Sequence, residues 1–389
     1  MKYIFKEGLI SFPLSALFCI QRELNKEQWE KKVEISITRS TIGFRSSLLL
    51  GLLMLLFAVT VNAAQHEFEM TIDEVSIKVA PGLDYKVFAF NGQVPGPLIH
   101  VKEGDDVTVH VTNNTSLSHT IHWHGLHHKD NWQMDGVPGV TQKPIEAGDT
   151  FTYKWKADRV GTLWYHCHVN VNEHVGIRGM WGPLIVDPKR PSRLEKSVTK
   201  DVIMMLSSWE SEFAGKYGKG AIPGNVDDYF SINAKSFPLT QPIRVKKDDV
   251  LRVRFIGAGG LTHAMHTHGH DMLITHKDGL PLPKPYGADT VLFGPGERYD
   301  AIIDMNNSGR FIFHDHIDKQ VTAGGKFPGG AITIIEYEGN PDDDWYAWKD
   351  KVFDANFFYS ESMKKGYGMF NHEGFAGKPL TRERRRANK

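Results

Sequence analysis

Apolar and polar residues alternate in short runs along most of the chain, as in "VKEGDDVTVHVTNN", "DTFTYKWKA" and "RYDAIIDMNNSGRFIF". The runs are rich in Val, Ile, Thr and aromatic residues, and Gly, Pro, Asn and Asp separate them. A two-residue period bounded by turn formers predicts short antiparallel strands, and few stretches carry a helical period of useful length. The expected fold class is therefore all-β. The pattern also repeats. "VKEGDDVTVHV" at 101 returns as "VKKDDVLRVRF" at 245 and "HTIHWHG" at 119 as "HAMHTHG" at 263, both shifted by 144; "GTLWYHCH" at 161 returns as "GRFIFHDH" at 309, shifted by 148. Three matched segments in one order predict two tandem β-sandwich domains, over 65–190 and 197–340, joined through the polar, proline-containing "DPKRPSRLEK".

The ends of the chain break the pattern. "RSSLLLGLLMLLFAVTVNAAQ" reads as a signal peptide: Arg45, an apolar run from Leu48 to Val61, then small residues at Ala63 and Ala64. The run is short for a bilayer span, although a long polar stretch before it leaves an uncleaved anchor, or a start further downstream, as the other readings. Residues 1–64 are thus expected to be an export signal with an upstream extension, and the mature protein to be periplasmic or secreted without stable membrane insertion. Residues 341–389 have no counterpart in the first domain. They form an aromatic-rich extension and a basic tail, expected to pack on the second domain or on a neighbouring subunit.

Charge and cysteine content narrow the function. The chain has 46 Lys and Arg against 46 Asp and Glu, and removing the signal leaves a slight negative excess, so nothing points to nucleic acid. Of two cysteines, Cys19 falls in the signal; Cys167 stands alone in the mature chain and can form no internal disulfide. An unpaired cysteine in an oxidising compartment calls for a chemical reason.

Four H-x-H pairs supply it: His122/His124, His166/His168, His266/His268 and His314/His316, two in each repeat at matched positions. On a strand, residues two apart share a face, so each pair aims two imidazoles one way and its middle residue the other. Eight imidazoles converging on one surface point to bound metal, with copper, zinc, iron or nickel as candidates. Cys167, facing the interior of its own sandwich, can meet His119, His174 and Met180. Two imidazoles, a thiolate and a distant thioether are the ligands of a blue copper site. The second repeat has Asp315 in place of Cys167 and lacks the later histidine and methionine, so His263, which matches His119, reads as a remnant.

At these residues the chain closely resembles the multicopper oxidases, particularly the two-domain, laccase-like ones with the blue copper in the first domain. The resemblance covers about residues 68 to 340 and rests on "FNGQVPGPLIHVKEGD", "HTIHWHG", "WQMDGVPGVTQ", "WYHCHVNVNEHVGIRGMWGP" and "HAMHTHGH". It implies two cupredoxin-like Greek-key domains and four coppers per chain, one type 1, one type 2 and two type 3. The reaction it implies is oxidation of a small reduced substrate coupled to reduction of dioxygen to water. His122 and His266 match type 2 ligands; His124, His166, His168, His268, His314 and His316 match type 3 ligands. Asp135 matches an acidic residue that delivers protons near the type 2 copper, its other reading being a turn aspartate before glycine. The resemblance also implies a homotrimer with copper clusters between subunits, as such two-domain oxidases form, with a cluster inside one chain as the other reading. His127, His128, His270 and His276 match no ligand position.

Two rivals differ in ligand need. A copper nitrite reductase shares the paired architecture but uses one three-histidine copper besides the blue one, and has no use for four complete pairs. A periplasmic copper-handling protein needs a concentration of soft ligands, whereas the methionines here are scattered.

Overall fold

The computed structural model describes residues 63–213 and 227–340. The segment up to residue 62, expected to be an export signal, and the expected extension from 341 lie outside the described residues. Among the described residues nineteen strands build four sheets, paired as two sandwiches within one compact unit, so the fold is all-β as the periodicity predicts.

In the first sandwich, β1 (Gln65–Ala80), β2 (Leu83–Phe90), β4 (Asp106–Asn113) and β6 (Thr150–Lys156) form one sheet in the order β2-β1-β4-β6. Facing it are β3 (Ile99–Lys102), β5 (His122–His124), β7 (Gly161–His166) and β8 (Trp181–Asp187), in the order β3-β8-β7-β5. Alternation decides which side chains enter the core: Val107, Val109 and Val111 of β4 are buried while Asp106, Thr108 and His110 between them are partly exposed. Trp123, Tyr153, Tyr165 and Trp181 fill the space between the sheets.

The second sandwich repeats the pairing scheme strand for strand. β1 runs parallel to β4, as β9 (Lys200–Trp209) does to β12 (Val250–Gly257); β3 runs parallel to β8, as β11 (Ile243–Val245) does to β19 (Ile332–Tyr337). β5 pairs antiparallel with β7, as β13 (His263–Thr267) does with β18 (Arg310–Asp315). The second copy adds β14 (Met272–Lys277), β15 (Leu280–Ala288) and β16 (Thr290–Phe293), and β10 (Tyr229–Ile232) and β17 (Arg298–Asp304) complete its sheets.

A further repeat was hidden from the sequence by side-chain divergence. "FNGQ" at 90 and "INAK" at 232 form the same turn: Asn91 (φ 53°) and Asn233 (φ 52°) both sit in the left-handed region that asparagine tolerates. Their side-chain carbonyls accept the amide protons of Thr71 (2.6 Å) and Met205 (2.9 Å). The joining segment is also more ordered than its composition suggests. A short helix, Arg193–Ser197, starts on a capping box in which Ser192 Oγ accepts from Glu195 N and the Glu195 carboxylate accepts from Ser192 N.

A buried polar knot fastens one sandwich to the other where β7 begins. Thr162 Oγ1 donates to Asp300 Oδ1 (2.5 Å) and accepts from Arg254 Nη1 (2.8 Å), while Arg254 also pairs with Asp201 and Arg298 Nε donates to the Thr162 carbonyl. Arg254, Asp201 and Asp300 are almost wholly buried, so each charge depends on the others for its solvation. The strand that this knot anchors ends at His166, next to Cys167.

Candidate metal centres

At the end of β7 the pleat separates neighbours: His166 and His168 join a cluster of imidazoles while Cys167 turns into its own sandwich, where it is fully buried. His119 reaches it from the segment before β5, held by a two-way backbone pairing with Ile145 (3.0 and 2.8 Å). His174 comes from a single π-helical turn, Asn172–Ile177, a widened helix that often marks a functional site. The loop closes on itself: the Met180 amide donates to the His174 carbonyl (2.9 Å), and the Cys167 amide donates to the Met180 carbonyl (3.1 Å). Cys167 Sγ lies 3.6 Å from His119 Nδ1 and 3.4 Å from His174 Nδ1, and the three donor atoms fall within 4.8 Å of one another. Met180, also fully buried, ends the same loop.

The electrostatics of this pocket suit a soft cation. Burial lowers His119 to about 3 and His174 to about 4, so both rings are neutral near pH 7 and keep a lone pair for a metal. Burial pushes the Cys167 thiol up to about 12, so it ionises readily only when a bound cation takes the place of its proton. The Val169 amide points at Sγ (3.4 Å), a donor ready for thiolate charge. Thr115 Oγ1 holds the outer nitrogen of His119 (2.8 Å), and Phe88 packs its ring against both histidines, 4.8 and 5.0 Å between centroids. Neutral imidazoles, a thiol and a thioether in a dry cavity fit copper.

The other imidazoles form two quartets. In the first, the His122 ring lies 5.2 to 5.4 Å from those of His124, His166 and His168; in the second, the His266 ring lies 4.9 to 5.6 Å from those of His268, His314 and His316. The same device orients both. A carbonyl oxygen only accepts, so a ring nitrogen beside one must carry the proton and the opposite nitrogen keeps its lone pair. His122 Nδ1 donates to the Asp135 carbonyl (2.7 Å), His166 Nδ1 to that of Cys167 (2.8 Å), His266 Nδ1 to that of Asp289 (3.0 Å) and His314 Nδ1 to that of Asp315 (2.8 Å). In each case Nε2 is left to bind a metal. Burial also holds His122, His124, His166, His268 and His314 below their ordinary value, His124 at about 3, which favours the neutral, ligating form.

The quartets differ in exposure. The first is largely enclosed: His166 is buried, Trp164 stacks on both His166 and His124, and the loop at Gly296 of the second sandwich closes over His124. In the second, His268 and His316 are exposed, and His266 and His268 line an open pocket of about 820 Å³ with Asp271 and Asp289. Among the described residues no ring contact joins the two quartets.

The remaining sequence candidates separate clearly. Asp135 serves His122 through its carbonyl and also holds a carboxylate oxygen 3.4 Å from the same ring nitrogen, with a third of its side chain exposed. Asp315, where the first repeat has Cys167, accepts from His263 Nδ1 (2.8 Å) and from the amides of Ala264 (3.1 Å) and Ile317 (3.0 Å), all in a fully buried pocket. This hydrogen-bonded pair takes the positions that Cys167 and His119 hold in the first repeat. His127 bonds Arg159 and His128 is buried. Sequence reasoning missed Thr115, Phe88 and Trp164, which touch ligand rings without any motif spacing to signal it.

Comparison with known proteins agrees with this geometry. Two family models described as multicopper oxidase match residues 71–191 and 216–326. The multicopper oxidase mgLAC is 76% identical in sequence, with a TM-score of 0.74, over 81% of this chain and 99% of that one. The blue copper oxidase from Nitrosomonas europaea is 60% identical at the same TM-score and the same coverage. Laccase-2 of Botryotinia fuckeliana is 33% identical over 64% of this chain. The chain spans less than half the length of the first curated relatives it matches, 41% and 45%. With paired cupredoxin-like sandwiches, and with matches at this identity across nearly the whole length of two solved oxidases, the chain belongs to the multicopper oxidases as a two-domain, laccase-like copper oxidoreductase.

Proposed function

We propose that the protein oxidises a small reduced substrate, a phenol, aromatic amine or low-valent metal ion, one electron at a time and reduces dioxygen to water. The observation that carries this reading is the position of Cys167. Its sulfur belongs to the pocket of His119, His174 and Met180, while its backbone carbonyl fixes His166 of the first quartet at 2.8 Å. One residue thus joins two metal sites by a short covalent path. When bound, copper supplies the one-electron redox chemistry, as type 1 copper at Cys167 and as a trinuclear cluster at the quartets, four coppers per chain in all. His122 and His266 hold the type 2 ion; His124, His166, His168, His268, His314 and His316 hold the type 3 pair. Asp135, partly open to solvent beside His122, is suited to carry protons toward the cluster; four are needed with four electrons for each dioxygen.

The same reading extends to assembly and location. The two domains are the units 65–190 and 197–340, and three chains close into a ring in which the first quartet of one faces the second quartet of the next. The exposure of His268 and His316 supports a shared cluster. Export is supported by the signal-like start, and among the described residues no helix is long and apolar enough to cross a membrane. The test is oxygen uptake by copper-loaded protein against phenols, aromatic amines, Cu(I) and nitrite. Oxygen consumption with one of the first three is expected; nitrite reduction without oxygen uptake would overturn the reading.

A further inference from the structure

The third histidine of "HTHGH" is absent from the ligand scheme, yet it has the most fully determined hydrogen bonding of any imidazole near the second quartet. His270 is 8% exposed, lies parallel to the Tyr337 ring at 5.8 Å and meets Phe311 edge-on at 4.9 Å. Its Nδ1 is 3.1 Å from the backbone carbonyl of His268, and its Nε2 is 2.7 Å from Tyr337 Oη. Since a carbonyl only accepts, Nδ1 carries a proton; in the neutral ring Nε2 then accepts, and the Tyr337 hydroxyl donates to it. The hydroxyl oxygen in turn accepts the Asn307 amide (3.3 Å), while the Asn307 side chain donates to the Gly269 carbonyl (3.0 Å). Every proton in this chain has one direction, and it ends on the peptide that carries His268.

The two repeats show why such a strut belongs here. At the matching position of the first repeat stands Leu126, a buried apolar residue with no side-chain donor. There the ligand ring itself is braced, by Trp164 and by the Gly296 loop over His124. The His268 ring is exposed, and its ring contacts among the described residues are with His266 and His314. Its amide is held by the Ile312 carbonyl (3.1 Å), and Gly269 turns the chain immediately after it at φ +69°. A side chain at Gly269 would meet the Phe311 ring at 2.3 Å, so the turn is tight and its direction set. The carbonyl of His268 accepts from Thr267 Oγ1 at 3.4 Å and from His270 Nδ1 at 3.1 Å, and His270 supplies the shorter of the two bonds and the one tied to a second strand through Tyr337.

We propose that His270 is a positioning residue: with Tyr337 it fixes the His268 peptide so that an exposed imidazole is already aimed at the metal before the second half of the site arrives. The proposal rests on the reading that the second quartet holds copper. Outer partners of metal ligands tune affinity by roughly 10- to 100-fold, and the loss here should appear as weaker retention of copper.

The experiment compares His270→Leu, His270→Asn, Tyr337→Phe and His268→Ala as copper-loaded full-length protein, following copper loss to a chelator together with the blue absorption. His270→Leu installs the residue of the first repeat, and His270→Asn restores an N–H where Nδ1 stands. The expected result is cluster copper lost roughly ten times faster or more in His270→Leu, near-native retention in His270→Asn, an intermediate rate in Tyr337→Phe, and an unchanged blue band in all three. Native retention in His270→Leu overturns the proposal. If His270→Leu does not fold, Tyr337→Phe decides: wild-type retention there overturns the proposal equally. Should His268→Ala itself keep full cluster copper, the copper reading of the second quartet fails, an outcome distinct from failure of the strut. In the metal-free protein, imidazole nitrogen resonances should show a proton on Nδ1 of His270, and a ring without one there would also overturn it.

Discussion

Cys167 serves two sites through two atoms, and a substitution can separate them. Serine keeps the backbone carbonyl that orients His166 but replaces a polarisable sulfur by a hard oxygen that binds copper weakly and gives no sulfur-to-copper charge transfer. Cys167→Ser should therefore abolish the intense blue colour and most type 1 copper while the cluster copper stays, read by visible absorption and metal analysis of one sample; a blue variant would refute the thiolate assignment. The grouping of these side chains was legible because two-residue spacing on a strand encodes direction, so "HCH" alone says which residues part company. Thr115, Phe88 and the strut at His270 were not, since their roles arise from contacts that no local spacing announces. His270 lies 67 residues from the tyrosine that defines it.

At the level of elements, the loop after β7 and the loop after β18 start alike and end differently. The Val169 amide aims at Cys167 Sγ and the Ile317 amide at Asp315 Oδ1, so the backbone donor is the same in both repeats although the acceptor differs. What differs is the stretch that follows: a π-helical turn delivers His174 in the first repeat, whereas a 3-10 turn at Asp318–Val321, holding no histidine, follows in the second. Asp315→Cys should therefore fold without a second blue site, because a thiol beside His263 alone lacks the remaining donors. Copper stoichiometry and visible absorption decide it, and a second sulfur-to-copper band would show that the second repeat is no relic. The same variant removes the acceptor of His263 Nδ1 and of two backbone amides, so a loss of about 2 kcal/mol in denaturant stability is expected, the order of cost for leaving buried donors unsatisfied. The repeat was legible because identity survives where geometry is most demanding, whereas the parallel pairings of β1 with β4 and β9 with β12 were not, since a two-residue period does not fix strand direction and the strands were expected to be antiparallel. The Asn91 and Asn233 turns and the helix at Arg193–Ser197 escaped notice because one asparagine or one capping box is too short a signal among changed neighbours.

At the scale of the whole molecule, contacts between sandwiches and between chains decide stability and activity. Lys235 is buried where the sandwiches meet, donating to the Lys78 carbonyl beside the Ser236 amide bond to Val79 (2.8 Å). Burial, reinforced by Lys78, lowers it to about 7. In the unfolded chain lysine stays protonated to about 10.4, so between these values the unfolded state binds more protons and stability rises with pH. Relative to Lys235→Met, the wild type should gain up to about 1.4 kcal/mol per pH unit above pH 7 and nothing below it; a flat difference in denaturant midpoints across pH 7 to 10 would refute this. Assembly admits a more decisive test. If clusters form between chains, a variant lacking His122 and His124 still offers an intact second quartet, and one lacking His266 and His268 an intact first. Each alone is inactive, since every cluster in its ring contains a defective half. Unfolding the two together and reassembling them with copper should bring an intact first quartet against an intact second quartet at about a quarter of the interfaces of a random ring. Those interfaces also carry an intact Cys167 site, so oxygen uptake should return to about that fraction of wild type. Clusters formed within single chains could never be repaired by mixing, because each chain carries its own defect into its own site. Zero recovery in oligomers verified to contain both variants would therefore sink the shared-site ring while leaving the copper assignments untouched.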